Sequence, residues 1–205
     1  MESLEQLKAR IEALTPGVKL TLVPNDSPAA QPSLAVDAAH LLAVARCLRD
    51  TPGLEFDYAS NVTGVDWLDR FEKTKIRTKK LVEGIEQEVE ESVEVRKPGF
   101  LEVVYHLYSM KLKHGPVILR TRTKNRTEQV SLPSLTPLWR GCEFQEREIY
   151  DLYGVIFEGH PDLRRILMWD GFKDHPMRKD YVEPNDYEYE PTAHDEVAEK
   201  AKQRG

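Results

Sequence analysis

The sequence predicts an α+β fold: a mixed or antiparallel sheet with helices packed on it, followed by an extended, irregular C-terminal tail. Three observations lead there. Strand-like runs rich in β-branched and aromatic residues recur between positions 18 and 124. Helical stripes are confined to three separate stretches, so helices and strands segregate. After Tyr181 the chain turns acidic and tyrosine-rich, too poor in aliphatic residues to fold alone.

In chain order, Ser3 and Gln6 form a capping box, and Leu4, Leu7, Ile11 and Leu14 share one helical stripe that Pro16-Gly17 ends. Val18 to Val23 alternates as a strand, and the turn-forming residues from Pro24 to Pro32 make a loop. A short strand, Ser33–Val36, runs into Asp37. This N-cap opens a helix with Ala38, Leu41, Leu42, Ala45 and Leu48 inward, stopped by Thr51-Pro52-Gly53. Glu55 to Trp67 reads as a long strand with an irregularity expected at Gly64. Phe100–Lys111 and Val117–Lys124 should pair as an antiparallel hairpin turning at Lys113-His114-Gly115-Pro116. Its second strand places Arg120, Arg122 and Lys124 on one face, solvated or in contact with a partner. Thr136-Pro137 starts the last helix, Gly141 splits it, and Gly154 is its left-handed stop.

At 205 residues the chain suits one domain plus tails: a core over 1–158, with 69–98 as a charged insertion, and a docking segment and tail over 159–205. Within the insertion, Lys73–Lys80 is basic and Glu83–Glu94 acidic, threaded by Leu81, Val82, Ile85, Val89, Val93 and Val95. A helix and a two-stranded excursion both fit the pattern; the opposite charges suit a solvated surface insertion, with a partner arm as the alternative. A net charge of -6 argues against generic binding to nucleic acid or an anionic membrane surface. Two isolated cysteines, Cys47 and Cys142, lack the CxxC spacing for iron–sulfur or zinc ligation and suit a reducing compartment. The N-terminus has no signal-peptide pattern, and no apolar run approaches a membrane span, so the expected location faces the cytoplasm.

Glu143 to Leu167 has the chain's highest density of special residues. Glu143, Arg147 and Asp151 are spaced i, i+4 and i+8, so the arginine can sit between two carboxylates. Three readings compete. Glu146, Glu148 and Asp151 could act as acid and base or as magnesium ligands, in a carboxylate-dependent hydrolase, although no phosphate loop, GxSxG or HExxH motif accompanies them. His160 and His175 could ligate a metal, but irregular chain separates them. In the third reading the stretch is a structural lock leading into a contact surface. Arg164, Arg165, Lys173, Arg178 and Lys179 interleave with Trp169, Phe172 and Tyr181, the composition of an interface segment.

The run Glu146-Arg147-Glu148, Asp151, Leu152-Tyr153, His160, Arg164 and Ile166-Leu167 resembles the signature of a known family. Leu132-Pro133-Ser134 and Leu138-Trp139 precede it, and His175-Pro176-Met177-Arg178-Lys179-Asp180-Tyr181 follows. The family is the C subunit, the 30 kDa hydrophilic-arm subunit, of the proton-pumping NADH:quinone oxidoreductase (respiratory complex I). The likeness is strong over about 132–181 and softer over 34–68 and 99–124, and the insertion departs from it. Corresponding subunits of membrane-bound hydrogenases and of the photosynthetic NDH complex share the signature region.

The resemblance implies a scaffold without catalytic, cofactor or metal residues of its own, and not the form fused to the quinone-site D subunit. FMN, iron–sulfur clusters and quinone would belong to neighbouring subunits of a hetero-oligomer without nucleic acid. This chain would have no membrane span and would lie at the cytoplasmic face of the inner membrane, packed on the quinone-site D subunit and the cluster-bearing B subunit. The expected structural network is Glu146, Arg147, Glu148, Asp151, Gly154, Gly159, His160 and Pro161. The expected docking residues are Arg164, Arg165, Trp169, His175, Arg178, Lys179 and Tyr181.

Overall fold

The computed structural model describes residues 2–182 apart from 83, 84 and 129, with the backbone alone over 74–91. Helix α1 (Leu4–Leu14) begins at the expected capping box. Strands β1 (Thr21–Val23) and β2 (Ser33–Ala35) follow, then a 3-10 turn capped by Asp37 that leads into α2 (Leu41–Asp50). Next come β3 (Tyr58–Trp67), β4 (Arg70–Val82), β5 (Ile85–Lys97), β6 (Phe100–Ser109) and β7 (His114–Arg122). The last elements are β8 (Ser131–Pro133), α3 (Cys142–Tyr153) and β9 (Ile156–Glu158). From Gly159 to Val182 the chain has neither helix nor strand, and the tail expected beyond lies outside the described residues.

A five-stranded mixed sheet, ordered β1-β2-β7-β6-β3, carries the core. Only the β2–β7 pair is parallel, and the backbone of Val36 continues it by donating to Arg120 O. Val103, Tyr105, Leu107, Val117 and Leu119 project from one sheet face into a single apolar cluster with Leu41, Val44 and Leu48 of α2 and Ile149 of α3. On the opposite face Glu102 accepts from Trp67 Nε1 (2.9 Å) and Arg120 (2.5 Å), while Arg122 lies over the Phe100 ring. Two members of the predicted cationic row are therefore engaged within the chain.

Several boundaries differ from expectation. The strand expected at Val18 begins only at Thr21, because the Glu12 carboxylate of α1 takes the Leu20 N–H at 2.7 Å. Glu55 adopts φ 42°, incompatible with a strand, and β3 starts at Tyr58. The register shift in β3 falls between Ala59 and Asn61, and Gly64 pairs regularly with Val103. What Gly64 supplies is space: a Cβ there would lie 2.7 Å from Tyr153 Cδ2. The turn of the β6–β7 hairpin comes earlier than predicted, so His114 to Pro116 are already strand. Between the two readings of 69–98, the backbone resolves to a two-stranded antiparallel hairpin, β4–β5.

Candidate functional site

Helix α3 does not start at Thr136. Residues 136–141 form turns, with Trp139 N donating to Leu135 O, and the helix proper begins at Cys142. The Thr136 hydroxyl, expected as a cap, donates instead to Glu146 Oε2 at 3.0 Å. The end of α3 is as expected: Gly154 adopts φ 77° and donates to Tyr150 O. A side chain at Gly154 would also run into the His175 imidazole.

Glu146 and Asp151 are both wholly buried, in different company. Glu146 accepts from Ser134 Oγ (2.5 Å), Leu135 N (2.8 Å) and Thr136 Oγ1 (3.0 Å), with Tyr105 OH at 3.4 Å. Burial pushes its carboxyl above the usual range despite these donors, and burial beside Glu146 raises the Tyr105 phenol. Asp151 reaches the other way. Its Oδ2 accepts three successive backbone N–H groups, Ile166 (3.0 Å), Leu167 (2.7 Å) and Met168 (2.9 Å), and its Oδ1 takes Arg165 at 2.6 Å. Burial works to raise this carboxyl too, but the three N–H donors and the guanidinium together hold it below its ordinary value.

Arg147 overturns the expected pairing. Its guanidinium is buried and donates to the carbonyls of Arg164 and Arg165, both at 3.2 Å, with Asp162 Oδ2 at 3.8 Å. It does not bridge Glu143 and Asp151, because a side chain on the helix flank meets the returning chain before it meets its own helix. Glu148 points to solvent, away from the network. Glu146, Arg147 and Asp151 thus each grip a different segment: the β8 exit, residues 164–165 and residues 165–168.

The remaining expected residues sit along a strap, residues 159–182, that folds back over α3. Gly159 (φ 80°) turns the chain, and exposed Pro161 follows His160. His160 Nδ1 accepts from Asp162 N at 3.0 Å, so Nε2 carries the proton and donates to Glu143 O at 3.0 Å. His175 Nδ1 donates to Asp151 O, and burial lowers its basicity. Arg178 donates to Tyr153 O (2.7 Å) and Arg126 O (3.1 Å). Arg165, His175 and Arg178 are therefore tied down within the chain. Arg164 is exposed beside Asp162, Lys179 is exposed, and half-buried Trp169 and Tyr181 flank the buried Phe172 ring.

Residue-type reasoning missed three sets of contacts. Gln145 accepts the Val62 N–H at 2.6 Å just beyond the β3 register shift. Arg126 forms a two-toothed pair with buried Asp66 (2.7 Å each) and reaches Asp180 (2.9 Å), while Lys179 N donates to Asp66 at 2.8 Å. Ser134 and Thr136 complete the Glu146 pocket. The available signal was local: two hydroxyls flanking Leu135 in an otherwise apolar run.

In the last third of the described chain, two buried carboxylates are thus enclosed by internal donors, and the strap carries exposed apolar side chains at Ile166, Leu167, Met177 and Val182. The family model described as "Respiratory-chain NADH dehydrogenase, 30 Kd subunit" matches residues 34–187. The NADH-quinone oxidoreductase C subunit of Coxiella burnetii is 34% identical over 183 residues, covering 86% of this chain and 74% of its own. The second NADH-quinone oxidoreductase C subunit of Rhizobium meliloti is 39% identical over 150 residues, covering 73% and 65%. A chain in the structure of an archaeal membrane-bound sulfane sulfur reductase has a TM-score of 0.51 at 19% identity, covering 98% of this chain and 92% of that one, a likeness of fold alone. This chain belongs to the respiratory-chain NADH dehydrogenase 30 kDa subunit family.

Proposed function

We propose that this chain is a non-catalytic scaffold of the peripheral arm of NADH:quinone oxidoreductase, at the cytoplasmic face of the membrane. Electrons would pass from NADH through FMN and iron–sulfur clusters to quinone in neighbouring subunits, coupled there to proton translocation. The strap would dock the quinone-site D subunit and the cluster-bearing B subunit.

One observation carries this reading. Asp151 holds the backbone N–H groups of Ile166 and Leu167 inward, so their side chains face out, 38% and 61% exposed. Met177 and Val182 on the same strap are 53% and 83% exposed. Exposed apolar side chains on a strap whose backbone is tied to a helix by buried polar bonds are preorganised for a partner. The hydrolase reading has no comparable support, since Glu146 and Asp151 are sealed from solvent and occupied by internal donors.

The test replaces exposed side chains and leaves the internal bonds alone. Leu167→Glu with Met177→Glu should leave the isolated chain folded, with an unchanged circular dichroism spectrum, while abolishing co-purification with the complex. Intact assembly of that variant overturns the docking role. Partner identification from the native membrane discriminates further: NADH-binding and quinone-site subunits support the reading, and a nickel–iron large subunit redirects it.

A further inference from the structure

Helices α1, α2 and α3 all pack on one face of the five-stranded sheet, through Leu7, Ile11, Leu41, Val44, Leu48 and Ile149. Strand alternation turns the remaining side chains of β3, β6 and β7 to the opposite face, which no helix covers among the described residues. At the end of that face nearest the strap, four side chains form a ladder. Lys179 Nζ lies 5.9 Å from the Trp67 ring, Trp67 lies 6.2 Å from Phe100, and the Arg122 guanidinium lies 5.1 Å over Phe100. Trp67 is 38% exposed, and Arg122 and Lys179 are exposed as well. Tryptophan and arginine are the residue types that dominate binding surfaces.

The charges on this face do not cancel. Glu102 is matched by Arg120, whereas Arg122, Lys124 and Lys179 have no carboxylate at ion-pair distance among the described residues. A segment of opposite charge begins at the edge of the face. Lys179 N donates to Asp66 Oδ2 at 2.8 Å, so the chain reaches Val182 three residues past a fixed point beside Trp67. Residues 183–190, outside the described residues, carry Glu183, Asp186, Glu188 and Glu190 with Tyr187 and Tyr189, and no cation. Eight residues reach up to about 27 Å. Strands β3 and β7 stand only two strand spacings, about 10 Å, apart.

We propose that the sheet face around Trp67, Phe100 and Arg122 docks the chain's own acidic segment, residues 183–190. Tethering selects this occupant. Exposed ion pairs are individually weak, and a separate acidic protein would need a much larger contact to stay bound. A segment joined to the strap a few residues away meets the face at an effective concentration of about millimolar. A second copy would bring a like-charged face against this one. In the free chain the segment shields the aromatic ladder, independently of what the strap docks.

Photo-cross-linking of the isolated full-length chain tests this. Benzoylphenylalanine replaces Thr63, exposed on the open face beside Val104, in one variant, and Glu5, exposed on α1, in another. Mass spectrometry should find an intramolecular cross-link from position 63 to residues 183–190 at low salt, and none from position 5. Neutralising either side, by Arg122→Gln with Lys124→Gln or by Glu188→Gln with Glu190→Gln, should lower its yield about fivefold, as should salt at about 0.5 M. The second pair leaves every described contact in place, so its effect is not one of folding. No cross-link from position 63 in a chain of unchanged circular dichroism, a cross-link between two copies, equal cross-linking from both positions, or a yield that survives either double variant overturns the docked segment.

Discussion

Helix α3 holds two carboxylates without exposed surface, Glu146 and Asp151, whose titration is pushed in opposite directions. Glu146 faces two side-chain hydroxyls and one backbone N–H, with a phenol at longer range and no cation in hydrogen-bond reach, and its carboxyl is raised. Asp151 faces three backbone N–H groups and Arg165, and its carboxyl is lowered. Glu146 lies deeper in the protein than Asp151 and has the weaker donor set, so depth and donors together separate the two carboxyls. The two sites also divide the labour: Glu146 fastens the helix inward to the β8 exit, and Asp151 fastens the strap outward.

The largest effect expected from breaking this comparison is at Asp151. Asp151→Ala strands three backbone N–H groups and takes the carboxylate from Arg165, which keeps the Asp151 and Asp174 carbonyls, and chemical denaturation should show a loss of about 3–5 kcal/mol. Glu146→Ala should cost less, about 2–3 kcal/mol, because the Ser134 and Thr136 hydroxyls can rotate to other acceptors while Leu135 N cannot. Arg147→Ala removes a donor from two carbonyls and leaves Glu146 and Asp151 bonded as before, so about 1–3 kcal/mol is expected. A loss from Arg147→Ala as large as that from Asp151→Ala would restore the arginine–carboxylate bridge that the geometry contradicts.

The smallest and most discriminating effect is in the pH dependence. Asp151 titrates below its ordinary 3.8, so its contribution is fully present above that value and fades as pH falls through the folded-state pKa. Glu146 titrates above its ordinary 4.5, so its contribution is greatest below that value and fades as pH rises through the folded-state pKa. Melting curves across pH 3–7, a window of about four units around the usual carboxylate range, should separate them. Asp151→Asn should flatten the acid limb, and Glu146→Gln the limb above 4.5. The same limb flattened in both variants would show that the two sites titrate as one.

Much of the fold was legible in the sequence because its signals are local. The Ser3 capping box, the α2 stripe and the Gly154 stop are interactions within a few residues of one another, and each appears where expected. Several of the expectations that failed depended on a partner distant in sequence. Thr136 looks like a cap until Glu146 takes its hydroxyl, and Gly64 looks like a strand break until Tyr153 packs on it. Arg147 looks like a bridge between helical neighbours until the strap carbonyls come within reach.

By itself the sequence determined the α+β class and the family, and it singled out Glu146, Arg147 and Asp151, which the fold buries. Spacing along a helix limits which groups can meet, and composition limits what can be buried. Only the tertiary structure decided which partner each charge holds, because those partners come from chain up to 18 residues away on the strap and 41 on the sheet. It also showed Arg165, His175 and Arg178, expected to dock a partner, bonded within the chain. Asp151 draws the N–H groups of Ile166 and Leu167 inward and leaves their side chains exposed, an orientation that no local pattern encodes.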